Sequence, residues 1–129
     1  MRGIPLEERK ALGALLERRS QEEVMARIAQ FGTAETENFA SPPDTAPGAL
    51  GVLMFNMERG VHLEEIQDFL RDCLDIQPLD LILANELDDG CARSGNKNTA
   101  RELAQALGLN YAWGLEFIEL VNDETGKGF

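Results

Sequence analysis

Cysteine, histidine and basic side chains are the scarce groups in this 129-residue chain, and each shortage excludes something. Two cysteines, Cys73 and Cys91, are too few for a disulfide framework and lack metal-ligand spacing. Cys73 sits on the apolar side of a helical pattern and reads as a buried thiol. Cys91 lies beside acids, which raise rather than lower a thiol pKa. The single histidine, His62, reads as exposed at a helix start rather than as a ligand. Lys and Arg number 12 against 23 Asp and Glu, a net charge of −11. That balance argues against tight, unassisted nucleic-acid binding, which needs cations to replace counterions. No run approaches the roughly 18 apolar residues of a membrane span. The start, Met1-Arg2-Gly3-Ile4-Pro5, lacks the apolar core of a secretory signal, so the default compartment is the cytoplasm. No internal repeat is visible, and the glycines lack a phosphate-cradle spacing.

What is present suffices for one globular domain of the α/β class. Hydrophobic residues make up 43% of the chain, ordinary for a soluble fold. Residues 1–31 read as a helical arm of one or two helices. Pro5 suits a first turn, Glu7 and Glu8 its positive end, and Ser20-Gln21-Glu22-Glu23 is a capping box. Leu12, Leu15 and Leu16 form one stripe; Val24, Met25 and Ile28 form the next. The arm is either a brace packed on the domain or a segment that docks a partner. Residues 32–48, with Pro42, Pro43 and Pro47, read as an extended linker. The domain proper is placed at 49–129.

Two short apolar runs, residues 50–55 and 79–84, flank Leu63, Ile66, Phe69, Leu70 and Cys73 at helical spacing. Together they read as one βαβ unit, whose parallel strands open their C-terminal ends on one edge. Ligands bind at that edge in open α/β sheets. Asn56 follows the first run and Asn85-Glu86 the second. An amide and a carboxylate at one edge are hard oxygen donors suited to Mg²⁺ or Mn²⁺. Further on, Thr99-Ala100-Arg101-Glu102 reads as a capping box opening a helix through Leu107, closed by Gly108. Tyr111, Trp113, Leu115, Phe117 and Glu119 share one face of a last strand, and the tail from Val121 reads as frayed.

The stretch from Gly51 to Leu120 resembles the opening of the endonuclease/exonuclease/phosphatase superfamily, whose members share a DNase I-like α/β sandwich. Asn56-Met57-Glu58 resembles the family's strand-end asparagine with an acid two residues on, and Asn85-Glu86 resembles its Gln-Glu pair. The resemblance implies that Glu86 and Asn56 are catalytic and hold the metal, Asn56 also supporting the phosphate, and that Glu58 joins them as a metal residue at the same mouth. Asn85 is one methylene shorter than the family's glutamine. The run 88–98, Arg101-Glu102-Leu103-Ala104 and Leu107-Gly108 resemble the bacterial branch. The implied activity is Mg²⁺-dependent hydrolysis of a phosphate ester: a nucleic acid, a phosphorylated inositol or a lipid head group. The family also needs a histidine, a paired aspartate and an Asp-x-Asn from its second half, which have no counterpart here. The chain is therefore expected to be the N-terminal part of such a domain, with half of an active site and no turnover alone. The other reading is a non-catalytic interaction module, or a decayed gene fragment, that keeps the front of the fold. A continuing reading frame carrying Asp-x-Asn and Asp-His would favour the enzyme.

Secondary candidates stand in two-way readings. Arg93 suits a phosphate clamp or a salt bridge to Asp88 or Asp89. Asn96 and Asn98 suit substrate contact, turn formation or helix capping. Tyr111 and Trp113 suit sheet packing or base stacking. An uncovered sheet face, that of Tyr111, Trp113, Leu115 and Phe117 or the opposite one, is expected to promote self-association.

Overall fold

The computed structural model describes residues 4–42, 48–76 and 78–118. Its elements, in order, are α1 (Leu6–Leu16), α2 (Gln21–Met25), β1 (Ala34–Glu37), β2 (Val52–Arg59), α3 (Leu63–Asp72), β3 (Leu81–Leu87), α4 (Thr99–Leu107) and β4 (Tyr111–Gly114). The class is mixed α/β. The chain divides into two compact units, Met1–Thr36 with Ala112–Phe129, and Glu37–Tyr111. No helix among the described residues is long and apolar enough to cross a membrane.

The first unit is built on α1 and α2. Pro5 precedes α1, and Glu7 and Glu8 occupy its first turn. Ser20 caps α2 as its sequence implies: Ser20 Oγ accepts from the Glu23 N–H at 3.2 Å, and Glu23 accepts from the Ser20 N–H at 3.3 Å. Leu12, Val24 and Ile28 form the core, with Ile4, Leu15, Phe31 and Ile118 packed around them. Leu16 and Met25, placed inward by the sequence reading, are exposed and half-buried respectively. Residues 4–31 are thus one part of a small core that Ile118 completes, rather than a self-contained arm.

Residues 32–48 are not all linker among their described positions. They contain β1, which forms a two-stranded sheet with β4. Ala-Glu-Thr-Glu has no apolar alternation, so nothing in its pattern announces a strand. β4 is shorter than expected, ending at Gly114, while residues 115–118 continue without strand structure. The boundary between the units falls inside both strands. Residues 43–47, Glu119 and the tail from Val121 lie outside the described residues.

The second unit carries the βαβ arrangement. β2 and β3 are parallel neighbours, paired Val52↔Leu81, Leu53↔Ile82, Met54↔Leu83, Phe55↔Ala84 and Asn56↔Asn85. At their start Gly51 packs so closely on Pro78 that a Cβ would lie 1.8 Å from the Pro78 carbonyl oxygen. No other residue fits there. Paired residues of parallel strands share a face, and successive residues alternate. Leu53, Phe55 and Met57, with Ile82, therefore look toward α3 and α4, where Met57, Leu63, Leu70 and Leu103 form the core. Met57 is wholly buried. The opposite face carries Val52, Met54, Leu81 and Leu83, all exposed, Met54 to 79%.

Both strands run further than their apolar runs suggest. The sequence reading ended them at residues 55 and 84; β2 continues to Arg59 and β3 to Leu87. Asn-Met-Glu-Arg-Gly reads as a turn, but Met57 extends the inward alternation of Leu53 and Phe55. Leu87 does likewise for β3 and packs against the same core. Asn56, Glu58 and Glu86 thus lie within the last turns of pairing, not beyond them.

Candidate functional site

The C-terminal edge of the parallel pair is irregular in a specific way. Between Asn56↔Asn85 and Arg59↔Leu87 the register shifts, so β2 is bulged. Bulges bend a strand and re-aim its side chains. Glu58 (φ 46°), Arg59 (φ 65°) and Gly60 (φ 69°) follow one another in left-handed conformation. Glu86 on β3 adopts it too, at φ 56°. Side-chain-bearing residues enter this region at a cost and cluster where function constrains the backbone. Gly60 has a second constraint: a Cβ there would lie 2.8 Å from the Thr99 side chain, whose residue is wholly buried at the start of α4.

The polar groups at this edge engage one another. Asn56 stands beside Asn85 on the open face. Its Oδ1 accepts the Glu58 N–H at 2.9 Å, an Asx-type turn that stabilises the bulge. The Glu86 carboxylate meets Arg59, with Nε 3.6 Å from Oε2 and both side chains about one-third exposed (30% for Arg59, 34% for Glu86). Glu58 is exposed. His62 flanks α3 at its N-cap without a side-chain capping bond, and its Nδ1 lies 3.9 Å from the exposed Glu65 carboxylate. It belongs to the helix start, as its position in the sequence implies.

The chain next to Glu86 is clipped by a buried aspartate. Asp88 accepts from Arg93 Nε at 2.8 Å and Nη2 at 2.7 Å, and from Ser94 Oγ at 3.0 Å. Its backbone oxygen accepts the Thr99 N–H and Oγ1–H, both at 2.9 Å. Of the two readings of Arg93, the salt bridge to Asp88 is formed, with the guanidinium fork on the carboxylate. Asn96, with φ 58°, is exposed and takes part in the turn after Gly95, where its N–H donates to the Cys91 carbonyl at 2.8 Å. Burial pushes the neighbouring Asp89 carboxyl above its ordinary value.

Asn98, not Thr99, caps α4: its Oδ1 accepts the Arg101 N–H at 2.8 Å. The capping box placed on Thr99 is corrected by one residue, because the Thr99 hydroxyl is committed to Asp88. Arg101 itself grips Glu37, at 2.6 and 3.1 Å, and that hydrogen bonding holds the Glu37 carboxyl below its usual range. Tyr111 stacks on Phe39 with parallel rings 6.2 Å apart, a packing role.

The donor set at this edge is one carboxylate, Glu86, and one amide, Asn56, both hard oxygen ligands. Mg²⁺ keeps several waters and uses one or two protein carboxylates; this edge offers one, Glu86, already paired with Arg59, and an amide oxygen that accepts the Glu58 N–H. Among the described residues no group of three or more His, Cys, Asp or Glu could hold a metal unaided. Sequence reasoning missed Arg59, whose left-handed backbone aims it at Glu86; the Arg-Gly pair ending a strand was the available signal. Comparison with known protein families, with curated proteins and with solved structures found no match.

Proposed function

We propose that this chain carries the front part of a Mg²⁺- or Mn²⁺-dependent phosphoesterase domain with a DNase I-like sandwich. Glu86 would be the carboxylate ligand, and Asn56, beside Asn85 in the register, would support the same edge through its bond to the Glu58 N–H. The observation that carries this reading is the parallel β2–β3 register, which puts Asn56 beside Asn85-Glu86 at one sheet edge with Glu58, Arg59 and Glu86 in left-handed backbone. A divalent ion held there would polarise a phosphoryl oxygen and stabilise charge on the leaving oxygen. Of the chain's own residues, Glu86 would hold the ion, and the Asx turn at Asn56 fixes the neighbouring bulge of β2. The exposed apolar face of Val52, Met54, Leu81 and Leu83 agrees with a sheet made to be covered by a second sheet. The substrate is a phosphate ester, of a nucleic acid, an inositol or a lipid head group.

A second reading, a non-catalytic interaction module, is favoured by that same exposed face and by the counter-ion Glu86 already possesses in Arg59. Inorganic phosphate separates the two. On the phosphoesterase reading, phosphate binds when Mg²⁺ is present, binding is lost in Glu86→Gln, and the chain alone turns over no phosphodiester. Phosphate binding that ignores both Mg²⁺ and Glu86 would remove that reading.

A further inference from the structure

The outer edge of a sheet presents unpaired main-chain groups, and β2 has such an edge. The geometry points to β2 as a self-recognition strand. Two copies of this chain pair antiparallel through β2, centred on Met54, into one four-stranded sheet ordered β3-β2-β2-β3. This goes beyond the phosphoesterase reading and stands without it.

Three observations converge. The first is the direction of the main chain. The Gly51 carbonyl accepts the Leu81 N–H at 3.1 Å, and the register then turns the main-chain groups of Gly51, Leu53 and Phe55 toward β3. These groups alternate in side along a strand, so those of Val52, Met54 and Asn56 turn away from β3. Among the described residues β2 pairs with β3 alone, and Val52 and Met54 are both exposed. Two strands make a marginal sheet, and parallel sheets are ordinarily buried. The second observation is the lack of edge protection. Residues 49–57 include no charged residue and no proline, in a chain that is 27% charged. Solvent-facing edges commonly carry such residues, which block pairing with another chain. The third is charge, which selects both the edge and the partner. Centred on Met54, the pair sets Met54 opposite Met54 and Val52 opposite Asn56, and no like charges meet. The edge of β3 is less suited: centred on Leu83, it sets Asp80 opposite Glu86 twice, and like charges directly opposite destabilise a pair. Copies with a net charge of −11 repel, so an uncharged stretch is where two of them can meet. The β2 edge is complementary to itself, as a two-fold interface requires.

The test uses the whole 129-residue chain in sedimentation equilibrium, with circular dichroism as the check on folding. Wild type should dimerise. Met54→Pro removes an N–H that faces away from β3, a position where edge strands tolerate proline, and should be monomeric. Met54→Thr keeps the N–H and a strand-forming side chain, and should still dimerise. Leu83→Lys alters the exposed face one strand away from the dyad, and should also dimerise. Cross-linking gives a measurement that does not depend on the proline variant folding. In a Cys73→Ser/Cys91→Ser background, Met54→Cys should form an intermolecular disulfide on mild oxidation, since facing Cα atoms about 5.5 Å apart permit one. Leu83→Cys should not, because its two copies would stand three strand spacings of about 4.8 Å apart. A monomeric wild type would overturn the inference, as would a dimer that Met54→Cys fails to cross-link. A dimer lost in Leu83→Lys but kept in Met54→Pro would also overturn it, and would mean face-to-face stacking instead. None of these results bears on Mg²⁺-dependent phosphate binding, which tests the phosphoesterase reading separately.

Discussion

At the residue scale the side chains that matter most are those whose partners fix them. Asp88 satisfies a guanidinium and a hydroxyl while almost fully buried, and its backbone oxygen takes two bonds from Thr99. Removing one member of a buried pair leaves the other charge uncompensated, which costs more than the pair contributes. Asp88→Ala should therefore destabilise the chain by about 2–4 kcal/mol in urea unfolding. A loss under roughly 0.5 kcal/mol, the range of ordinary surface changes, would show the network to be solvated and weak. The sequence put Arg93 within reach of Asp88 but offered a phosphate as an equal partner. Only the turn through Gly95 and Asn96, which folds the chain back on itself, decides between them.

At the element scale, types were legible and ends were not. The helices over residues 63–72 and 99–107 and the capping box at Ser20 follow from apolar spacing and capping chemistry, and the structure has them there. The parallel βαβ arrangement was legible for the same reason. Strand ends failed because residues 56–59 and 85–87 mix turn-forming and apolar types, and pairing with a neighbour overrides local preference. β1 was invisible because its four residues carry no alternation. The cap of α4 slipped by one residue because Thr99 and Asn98 are both good caps, and Asp88 claims the threonine hydroxyl. Asn98→Ala should cost about 1 kcal/mol by thermal or urea unfolding, the usual worth of a side-chain cap. A neutral result would return the capping role to Thr99.

At the scale of the whole molecule, the open face of the β2–β3 sheet dominates. Val52, Met54, Leu81 and Leu83 stand exposed in two adjacent rows, and such faces promote association when nothing covers them. Sedimentation should show concentration-dependent self-association, which Met54→Lys/Leu83→Lys abolishes with stability changed by less than about 0.5 kcal/mol per site. A clean monomer that binds no apolar dye would contradict this. The sequence reading expected an uncovered face on the sheet of Tyr111 and Trp113, which are half-buried; the exposed apolar face lies on the separate β2–β3 sheet. The central claim concerns the other end of the same sheet, and its most direct test is paramagnetic mapping. In ¹⁵N spectra of the chain, substoichiometric Mn²⁺ should broaden first the amides of Asn56, Glu58, Arg59 and Glu86, and Glu86→Gln should erase the effect. Broadening centred instead on the exposed acids of α1 or α3, with the β2–β3 edge untouched, would contradict the account.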